Sequence, residues 1–293
     1  METPPRGAGL SIENYRSLSE WEAFAANEGR RLAAEAEAVS ALKDAFPAAG
    51  LPGHCVVCGT GRRFIGPGGG MRGDTSLREL LACTLCHGVS RHRAAIAVLQ
   101  QALPDAEQAQ VYITEQATLF FASLRKRMRR LVGSEFAPEW RKRWRLSAWM
   151  WAHGGRGFVR YEDVTALTFR SGSMDAVVSF DVLEHVPDYP RALREFARVL
   201  RPGGVLVATV PFYLGSARSE TIARLRSDGV VEHLREPEYY GDPLSRGVLC
   251  FHHFGWDLLE SMRAAGFSEA EAVRVSDVAQ GIPEPLWLFR ARR

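Results

Sequence analysis

The hydrophobic pattern of this 293-residue chain is clearest in its central part. Residues 174–180 (MDAVVSF) and 205–210 (VLVATV) are apolar runs bounded by turn residues, which is typical of strands buried on both faces. Between them, residues 189–200 place apolar side chains at helical spacing. Residues 201–204 (RPGG) should end that helix, because Pro cannot continue it and Gly tolerates positive φ. The pattern predicts a strand, a helix and a parallel strand, which form a right-handed crossover unit.

Similar patterns begin earlier in the chain. Residues 110–114 (QVYIT) alternate like a strand, residues 117–128 have helical spacing, and residues 131–133 (LVG) form a short apolar run. Residues 159–163 predict one more strand before the central unit. Because open parallel sheets bind ligands at the carboxyl ends of their strands, we look for functional side chains directly after each of these segments.

The N-terminal third has a different character. Residues 11–46 are rich in Glu, Ala and Arg and contain few helix breakers, which predicts helices, with Ser19 and Glu22 as a candidate capping box. Residues 91–103 predict a helix that leads into the next part of the chain. The expected parts are an N-terminal helical segment (1–50), a cysteine-containing module (51–103) and a larger α/β domain (104–293).

Four of the five cysteines occur as two Cys-x-x-Cys pairs. Cys55 and Cys58 form the first pair, and Cys83 and Cys86 form the second. Two such pairs, about 25 residues apart, are a strong signal for a tetrahedral Zn²⁺ site. Since four thiolates leave no position for a substrate, we expect a structural zinc ion in a zinc-ribbon-like module. The alternatives are free buried cysteines, or a neighbouring histidine in place of one thiolate.

Composition narrows the class of protein. The hydrophobic content of 46% supports a sizeable core, whereas the net charge of +3 gives no overall positive field that would favour nucleic acid as a partner. Residues 125–130 (RKRMRR) are interpreted as the solvated face of a helix rather than a phosphate-binding patch. Residues 139–155 (EWRKRWRLSAWMWAHGG) are interpreted as an amphipathic helix that covers the cofactor or substrate, rather than as a surface that stacks on bases.

The sequence also bears on where the protein works. The N-terminus lacks the apolar region of a signal peptide, and no apolar stretch approaches the roughly 20 residues of a membrane span. The paired cysteines fit a metal in a reducing compartment better than disulfides. We therefore expect a cytoplasmic protein without a membrane span; the sequence does not indicate its oligomeric state.

Three segments together resemble the type 11 group of class I S-adenosylmethionine (SAM)-dependent methyltransferases. They are YEDVTALTF at residues 161–169, MDAVVSFDVLEHV at 174–186 and LREFARVLRPGGVLVATVPF at 193–212. The resemblance implies a doubly wound, Rossmann-like α/β sheet and SAM as the cofactor. It also makes residues 271–275 and 285–291 the closing antiparallel hairpin of that sheet.

The same resemblance gives roles to particular side chains. Glu135 falls where the family's acid accepts from the ribose hydroxyls, and Asp163 falls where an acid accepts from the adenine amino group, with the backbone N–H of Val164 beside it. Asp181 follows strand four, at the methionine end of the cofactor or at the substrate. The simpler interpretations are a surface acid for Glu135 and a turn aspartate for Asp163. Three further residues complete the predicted cofactor site: Glu115, Gln116 and Ser179.

The chain departs from the family after its first strand, where a glycine-rich turn normally lets the backbone approach the cofactor. The nearest glycine-rich stretch, residues 153–157, lies in the wrong place. Either residues 110–118 are strand one with a degenerate glycine loop and residues 131–135 are strand two, or the cofactor loop is lost and the protein is a pseudoenzyme. We favour the first alternative, because strand, helix, strand and acid occur in the expected order.

Three histidines are candidates for a general base that deprotonates the acceptor. His185 follows Asp181 by four residues and is equally suited to a structural hydrogen bond. His252 and His253 precede the helix predicted at residues 257–265, and at most one of them should face the site, because adjacent residues of an extended chain point to opposite sides. Asp181 is the alternative to a histidine in this catalytic role.

Residues 211–247 follow strand five, where insertions usually build the acceptor pocket in this fold. The candidate lining residues are Tyr213, Tyr239, Tyr240 and Asp242.

The leading hypothesis is O-methylation of a sugar or another small molecule. The sugar part depends on residues 77–95, which are similar to the zinc-binding N-terminal part of bacterial methyltransferases found with glycan-assembly enzymes. The rival hypotheses are a SAM-binding or degenerate scaffold protein without methyl transfer, an unusual SAM-consuming reaction, and a nucleic-acid methyltransferase. The near-neutral total charge argues against the last of these.

Overall fold

The computed structural model describes residues 9–66, 76–240 and 247–293. Residues 1–8 of the predicted N-terminal segment and Asp242 of the predicted acceptor region lie outside the described residues. Within the described ranges, no helix combines the length and the apolar character needed to cross a membrane.

The chain contains short and long strands and mostly short helices. The strands are β1 (Ser11–Tyr15), β2 (Leu51–Cys55), β3 (Thr60–Ile65), β4 (Ala82–Cys83), β5 (Val111–Ile113), β6 (Leu131–Gly133), β7 (Met174–Phe180), β8 (Leu200–Thr209), β9 (Glu220–Thr221), β10 (Ala223–Leu225), β11 (Val231–His233), β12 (Tyr239–Tyr240), β13 (Val248–Leu249), β14 (His252–His253), β15 (Glu269–Asp277) and β16 (Ile282–Arg292). The helices are α1 (Leu18–Asn27), α2 (Gly29–Asp44), α3 (Leu77–Leu80), α4 (Ser90–Ala102), α5 (Leu119–Leu124), α6 (Trp140–Ala152), α7 (Tyr189–Val199) and α8 (Leu258–Ala264), with 3₁₀ turns at Leu183–His185 and Val278–Gln280.

The central sheet has seven strands in the order β1-β15-β16-β8-β7-β5-β6. The strands β6, β5, β7 and β8 run parallel to one another, whereas β16, β15 and β1 are antiparallel to their neighbours. Helix α5 connects β5 to β6, and α7 connects β7 to β8. This is the predicted doubly wound, Rossmann-like methyltransferase sheet, and β15 and β16 are its predicted closing hairpin.

The predicted third strand is reduced to a single bridge. Glu135 and Tyr161 form an isolated parallel bridge next to β6, in which the Glu135 N–H donates to the Arg160 carbonyl at 2.9 Å. The chain leaves the sheet after Tyr161, because Asp163 accepts from the Thr165 N–H at 2.8 Å and holds a turn. The bridge nevertheless brings Asp163 to the same sheet edge as Glu135.

The crossover helix α7 begins and ends as its sequence predicts. The Asp188 carboxylate caps it by accepting from the Arg191 N–H at 3.0 Å, and the helix ends at Val199. Residues 201–204 are not a loop, however, because β8 already begins at Leu200 and includes them. Gly203 has a φ of +79°, which glycine tolerates, so the chain bends inside the strand rather than before it.

The helical prediction for residues 11–46 is wrong at its start. Ser11–Tyr15 form the edge strand β1, which pairs antiparallel with β15. Arg274 of β15 is only 6% exposed, and its guanidinium donates to the Glu13 carboxylate at 2.9 Å. Because a buried cation needs a partner, this ion pair favours a strand at residues 11–15 over a helix.

The cap of the first helix lies two residues before its predicted position. The Ser17 side chain accepts from the Glu20 N–H at 3.2 Å, and the Glu20 carboxylate in turn accepts from the Arg16 N–H at 2.6 Å. The capping residues are therefore Ser17 and Glu20, and the prediction of Ser19 and Glu22 is wrong.

The cysteine-containing module is built into the main core. The strands β2, β3 and β4 form a three-stranded antiparallel sheet, from which α4 runs onto β8 and β16. Its buried residues, such as Phe64 and Leu81, belong to the same hydrophobic cluster as Val111 and Val178 of the central sheet. The predicted boundary at residue 103 falls at the end of α4. The buried side chains of that helix belong to the shared core.

Arg93 of α4 joins this module to the end of the chain. Its side chain is fully buried, and its guanidinium donates to the carbonyl oxygens of Gly88, Leu81, Gln280 and Gly281 at 2.6–2.9 Å. Gly88 and Leu81 belong to the module, whereas Gln280 and Gly281 belong to the turn between β15 and β16. A single buried cation therefore links the two.

Helix α6 connects β6 to the bridge at Tyr161. Ser147 Oγ accepts from the Val159 N–H at 2.9 Å, and Met150 packs in the same hydrophobic cluster as Val159. These contacts place the helix on one face of the sheet, between β6 and the bridge at Tyr161. The predicted amphipathic helix is present, and its role as a cover over the cofactor or substrate stays a prediction.

The described residues between β8 and α8 form three short strand pairs, β9 with β14, β10 with β11, and β12 with β13. Phe212 and Phe254 form a parallel bridge, and the Phe251 N–H donates to the Glu184 carbonyl at 2.7 Å. These contacts place the segment over the carboxyl ends of β7 and β8, where an acceptor region is expected.

Candidate functional site

The four predicted zinc ligands converge in space. The Sγ atoms of Cys55, Cys58, Cys83 and Cys86 all lie within 4.8 Å of one another. The Sγ–Sγ distance is 3.8 Å for Cys55 and Cys86 and 3.7 Å for Cys58 and Cys83. Sulfurs placed about 2.3 Å from a tetrahedral Zn²⁺ are about 3.8 Å apart, so these four residues fit the ion.

The thiols of this cluster perturb one another. Hydrogen bonding with Cys83 raises the pKa of Cys55 to about 12. Hydrogen bonds from Cys55 and Cys86 hold the pKa of Cys83 far below the usual thiol range. The thiols therefore do not ionise independently of one another, whereas a bound metal ion would favour the thiolate form of its ligands.

Glu135 lies at the carboxyl end of β6, where the family resemblance places the ribose acid. Its Oε1 accepts from the backbone N–H groups of Gln116 and Ala117, at 2.8 and 2.7 Å. Burial raises the pKa of Glu135, although these two amides oppose the shift. Oε2 accepts no hydrogen bond from the described residues, so one oxygen remains available to a ligand.

The loop after β5 is held by its own side chains. The Glu115 carboxylate accepts from Thr118 Oγ1 at 2.7 Å and lies 3.5 Å from His92 Nε2. Burial opposes ionisation of Glu115, but His92 and Thr118 outweigh it and hold its pKa below the ordinary value. Gln116 is buried, donates to the Phe158 carbonyl and accepts from the Arg160 N–H. Both side chains thus contact protein groups, and a cofactor contact for them remains a prediction.

The other predicted cofactor residues differ in whether their side chains already have hydrogen-bond partners within the protein. Asp163 Oδ1 accepts from both the N–H and Oγ1 of Thr165, as a turn aspartate does, while Oδ2 accepts nothing from the described residues. Val164 is half-buried beside it. Ser179 of β7 is fully buried, and its Oγ accepts from Thr114 Oγ1, directly after β5, at 3.5 Å.

Asp181 is held by two arginines of the cysteine-containing module. Its carboxylate accepts from Arg78 of α3 at 2.6 Å and from Arg91 of α4, and Glu79 pairs with both arginines. Burial opposes ionisation of Asp181, but the two positive charges outweigh it and hold its pKa below the ordinary value. Asp181 also has a φ of +45°, a costly conformation that is typical of functional sites when found outside glycine.

Glu184 adds a second carboxyl group beside this ion-pair cluster. It is 1% exposed, and its Oε2 has no hydrogen-bond partner among the described residues. Burial and the negative charge of Asp181 raise the pKa of Glu184 well above its ordinary value. The shift favours the protonated form of this carboxyl group, and a protonated carboxyl group can donate a hydrogen bond.

His185 has the geometry of a general base. Its Nδ1 lies 2.8 Å from the Leu249 carbonyl, which can only accept, so Nδ1 carries the proton and Nε2 keeps its lone pair. Burial lowers the pKa of His185, so the imidazole is neutral near pH 7.

The two other histidines lie differently. His252 is 5% exposed, with Nε2 3.2 Å from the Pro187 carbonyl and Nδ1 3.2 Å from Thr221 Oγ1, so both ring nitrogens are engaged and the prediction of a catalytic role for it is not supported. His253 contacts Glu238 through Nε2 at 3.0 Å and stacks on Tyr213. The expectation that the two rings point to different sides therefore agrees with the structure.

Sequence reasoning missed Arg78, Glu79 and Arg91 as members of the site. The arginines lie in the cysteine-containing module, far from Asp181 along the chain. Their type carried no signal, because Arg is abundant in this sequence and a pairing over such a separation is visible only after folding. The sequence does place Glu184 beside His185 after a strand, but its burial was not predictable.

Comparison with known proteins supports a methyltransferase. Residues 114–208 match the family described as Methyltransferase domain. This segment runs from the end of β5 to β8 and contains Glu135, Asp163, Asp181 and His185. The match and the sheet order together support a methyltransferase domain at residues 114–208.

The curated relatives match part of the chain. An uncharacterized methyltransferase of Mycobacterium sp. (strain JLS) is 38% identical over 96 residues, which are 33% of this chain and 36% of the relative. A ubiquinone biosynthesis O-methyltransferase of Xanthomonas oryzae pv. oryzae (strain PXO99A) is 32% identical over 129 residues, which are 42% of this chain and 44% of the relative. The chain therefore matches less than half the length of either relative.

Comparison with solved structures finds proteins that are only remotely similar to this chain. A SAM-dependent methyltransferase from Mesorhizobium loti is 21% identical with a TM-score of 0.44, and the alignment covers 68% of this chain and 98% of that one. A 1,6-didemethyltoxoflavin-N1-methyltransferase from Burkholderia thailandensis, solved with S-adenosylhomocysteine, is 20% identical with a TM-score of 0.43, covering 70% and 78%.

Proposed function

We propose that this protein transfers a methyl group from SAM to a hydroxyl group of a sugar or another small molecule. The observation that carries the proposal is the position of Glu135, Asp181 and His185, which lie at or just beyond the carboxyl ends of β6 and β7 inside the segment that matches the methyltransferase domain. Ligands of open parallel sheets bind at this edge.

The cofactor site that we propose uses side-chain oxygens left free by the fold. Glu135 Oε2 would accept from the ribose hydroxyls, and Asp163 Oδ2 would accept from the adenine amino group, beside the Val164 N–H. The methionine end of SAM is zwitterionic, and Asp181 with Arg78 and Arg91 offers one negative and two positive groups in contact. The positive groups suit the carboxylate, and Asp181 suits the ammonium.

His185 is the base in this proposal. When bound, SAM supplies an electrophilic methyl group on a positively charged sulfur. The neutral Nε2 of His185 would take the proton of the acceptor hydroxyl while the side chains at the strand ends hold the acceptor in line. Asp181 is a poorer base, because the adjacent arginines keep it ionised and hydrogen-bonded.

The acceptor would lie beside the segment between β8 and α8. Tyr240 lies against His185 with a ring-centroid distance of 6.2 Å, and its hydroxyl donates to Glu238 at 2.6 Å. Aromatic rings next to paired polar groups suit a small polar molecule with an apolar face. The O-methyltransferase name of the Xanthomonas relative favours oxygen as the acceptor atom, and the similarity of the cysteine-containing module to glycan-associated methyltransferases favours a sugar.

We further propose that the four cysteines hold a structural Zn²⁺. A closed site of four thiolates has no open position for catalysis. Its role would be to fix the module from which Arg78 and Arg91 reach Asp181.

Isothermal titration calorimetry with SAM tests the proposal. The wild-type protein should bind SAM, and Glu135→Gln should weaken binding by about 1–3 kcal/mol, because a buried hydrogen-bond partner is lost. Glu139→Gln is the matched control, since Glu139 is an exposed acid of the same segment. Absence of SAM binding by the wild-type protein would overturn the enzyme proposal.

A SAM-binding or degenerate scaffold protein is the second candidate, and the loop after β5 favours it. Two amides that could approach a cofactor are already bonded to Glu135, and the buried Glu115 occupies the loop. Single-turnover assays with hydroxylated acceptors distinguish the candidates, because a scaffold would bind SAM and never yield S-adenosylhomocysteine.

A further inference from the structure

One surface of the molecule carries positive charge that the proposed activity does not use. Residues 125–156 contain ten Lys or Arg and two Glu, a net charge of +8. Because the whole chain has a net charge of +3, the remaining residues sum to −5. The positive charge is therefore concentrated on one part of the protein, around α5 and α6.

Eight of these basic side chains are exposed, and we call them the cationic face. They are Arg125, Lys126, Arg129, Arg130, Arg141, Lys142, Arg145 and Arg156. Arg127, which is not a member, pairs with Glu107, whereas no member lies within 4.0 Å of a carboxylate in the described part of the chain. Elsewhere on the surface, exposed arginines such as Arg224 and Arg235 are paired with Glu232 and Glu220.

Exposed aromatic residues accompany the cationic face. Four of the seven tryptophans are on α6, and their exposed fractions are 41–62%, whereas the other three are buried or half-buried. Phe136 and Phe158, on either side of α6, are 69% and 47% exposed. Solvent exposure of so many large aromatic side chains in one place marks an interaction surface.

The tryptophans and arginines of α6 project in different directions around the helix axis. At about 100° per residue, Trp140, Trp144 and Trp151 project within about 40° of one another, and the Trp144 and Trp151 rings touch edge to face. Arg141 and Arg145 follow on the outer side. An aromatic stripe next to a stripe of cations is typical of helices that lie in the plane of a membrane interface.

A cavity of about 490 Å³ lies between α5 and the C-terminal end of α6. Four members of the cationic face line it, together with Phe121 and Met150 at its inner side; these members are Arg125, Lys126, Arg129 and Arg156. Four cations around one cavity repel each other, and an anionic group placed among them would relieve that repulsion. A phospholipid headgroup carries such a group.

We propose that the cationic face and the tryptophans of α6 bind the surface of a bilayer that contains anionic phospholipids. Arginine and lysine side chains would contact headgroup phosphates, and the tryptophan rings would lie at headgroup depth, where Trp is enriched in membrane proteins. A planar bilayer meets one face of the protein alone. A nucleic acid is the weaker candidate, because a strand long enough to follow the surface would reach the remainder of the chain, whose net charge is −5. This inference does not depend on methyl transfer.

Co-sedimentation of the full chain with vesicles tests the proposal. The protein should sediment with vesicles of two parts phosphatidylcholine to one part phosphatidylglycerol and stay in the supernatant with pure phosphatidylcholine. The test variant replaces Lys126, Arg129, Arg141 and Arg145 by Gln. These side chains make no hydrogen bond within the described residues, so the fold should persist, and the partition coefficient should fall at least about tenfold.

The matched control replaces Arg16, Arg224, Arg226 and Arg235 by Gln. These are four exposed arginines that are paired with carboxylates, so the net charge falls by the same amount. The control should keep wild-type binding. A third variant, Trp140→Ala with Trp144→Ala, should weaken binding at high salt, where the charges are screened.

Three results would overturn the proposal. The first is a wild-type protein that does not sediment with the anionic vesicles. The second is equal loss of binding in the test and control variants. The third is a protein that binds a labelled single-stranded oligonucleotide through the same four residues but not the vesicles, which would assign the surface to nucleic acid.

Discussion

Two groups of arginines in this protein differ in their exposure to solvent and in their ion pairing. Arg78 and Arg91 have side chains that are 24% and 20% exposed, and both pair with Asp181 and Glu79. The arginines of the cationic face are exposed and have no carboxylate within ion-pair distance among the described residues. A cation withdrawn from water must be compensated within the protein, whereas an exposed cation can remain available to an external anion. The comparison indicates which arginines serve the internal site and which serve a partner.

Loss of a proposed zinc ligand should have the largest effect, because it should displace the arginines that pair with Asp181. Cys86→Ser should abolish metal binding and unfold the module, because structural zinc sites contribute about 10–16 kcal/mol of binding energy to folding. Arg78 and Arg91 should then lose their positions at Asp181. Elemental analysis and thermal unfolding measure both effects.

Cys250→Ser is the control for the metal experiment, because Cys250 is also buried but lies outside the cluster. That variant should retain about one zinc per chain. A Cys86→Ser protein with normal zinc content and melting temperature would contradict the structural role.

His185→Ala should lower the single-turnover rate by about 10²–10⁴-fold and leave SAM affinity unchanged, because the imidazole acts on the acceptor proton. His253→Ala is the control variant and should keep most of the rate. Equal rates in all three proteins would remove the histidine base from the mechanism.

The pH dependence of kcat/KM sharpens the same assignment. Burial lowers the pKa of His185, so the imidazole stays neutral below its ordinary titration range. The acid limb of the profile should therefore lie below pH 6.5, the ordinary value for histidine, and should be absent in His185→Ala. An acid limb that persists in the variant would belong to another group.

Arg91→Gln and Arg141→Gln test the comparison directly, because one arginine comes from each group. The first variant breaks a half-buried ion pair and should cost up to about 3–5 kcal/mol in the free energy of unfolding. The second should change that free energy by no more than about 0.5 kcal/mol. Urea denaturation measures both values, and similar losses in the two variants would remove the distinction between the groups.

Glu184→Gln should have the smallest effect, and its size should depend on pH. The folded-state pKa of Glu184 is raised, so the unfolded chain releases its proton first and the wild-type protein loses stability as pH rises from about 4.3 through the folded value. The variant does not titrate there. Its melting temperature relative to wild type should therefore increase from pH 5 to pH 8, and a constant difference would contradict the raised pKa.

Local sequence patterns predicted the parts of this fold that depend on neighbouring residues. The apolar runs of β7 and β8, the amphipathic helix between them, and the cysteine pairs each carry their signal within a few residues. The edge strand at residues 11–15 was mistaken for helix, because its strand character depends on Arg274 at the other end of the chain.

The candidate site was predictable to a similar extent. Glu135 and Asp163 were located by their positions after strands, and the structure brings both to one sheet edge. The arginines that hold Asp181 were not, because nothing near them in the sequence distinguishes Arg78 or Arg91 from the chain's other basic residues. The tautomer of His185 likewise depends on the carbonyl of Leu249, a residue of the distant acceptor segment.

The pairing of β1 with β15 and the bonds of Arg93 to Gln280 and Gly281 have a consequence for synthesis on the ribosome. The N-terminal strand and the cysteine-containing module emerge first, yet the partners of Arg93 follow at least 187 residues later along the chain. Until then, a strand edge stays open and a guanidinium destined for the interior lacks half of its acceptors, and unpaired edges expose a nascent chain to aggregation. Completion of this fold therefore has to wait until β15 and the turn after it have left the ribosome.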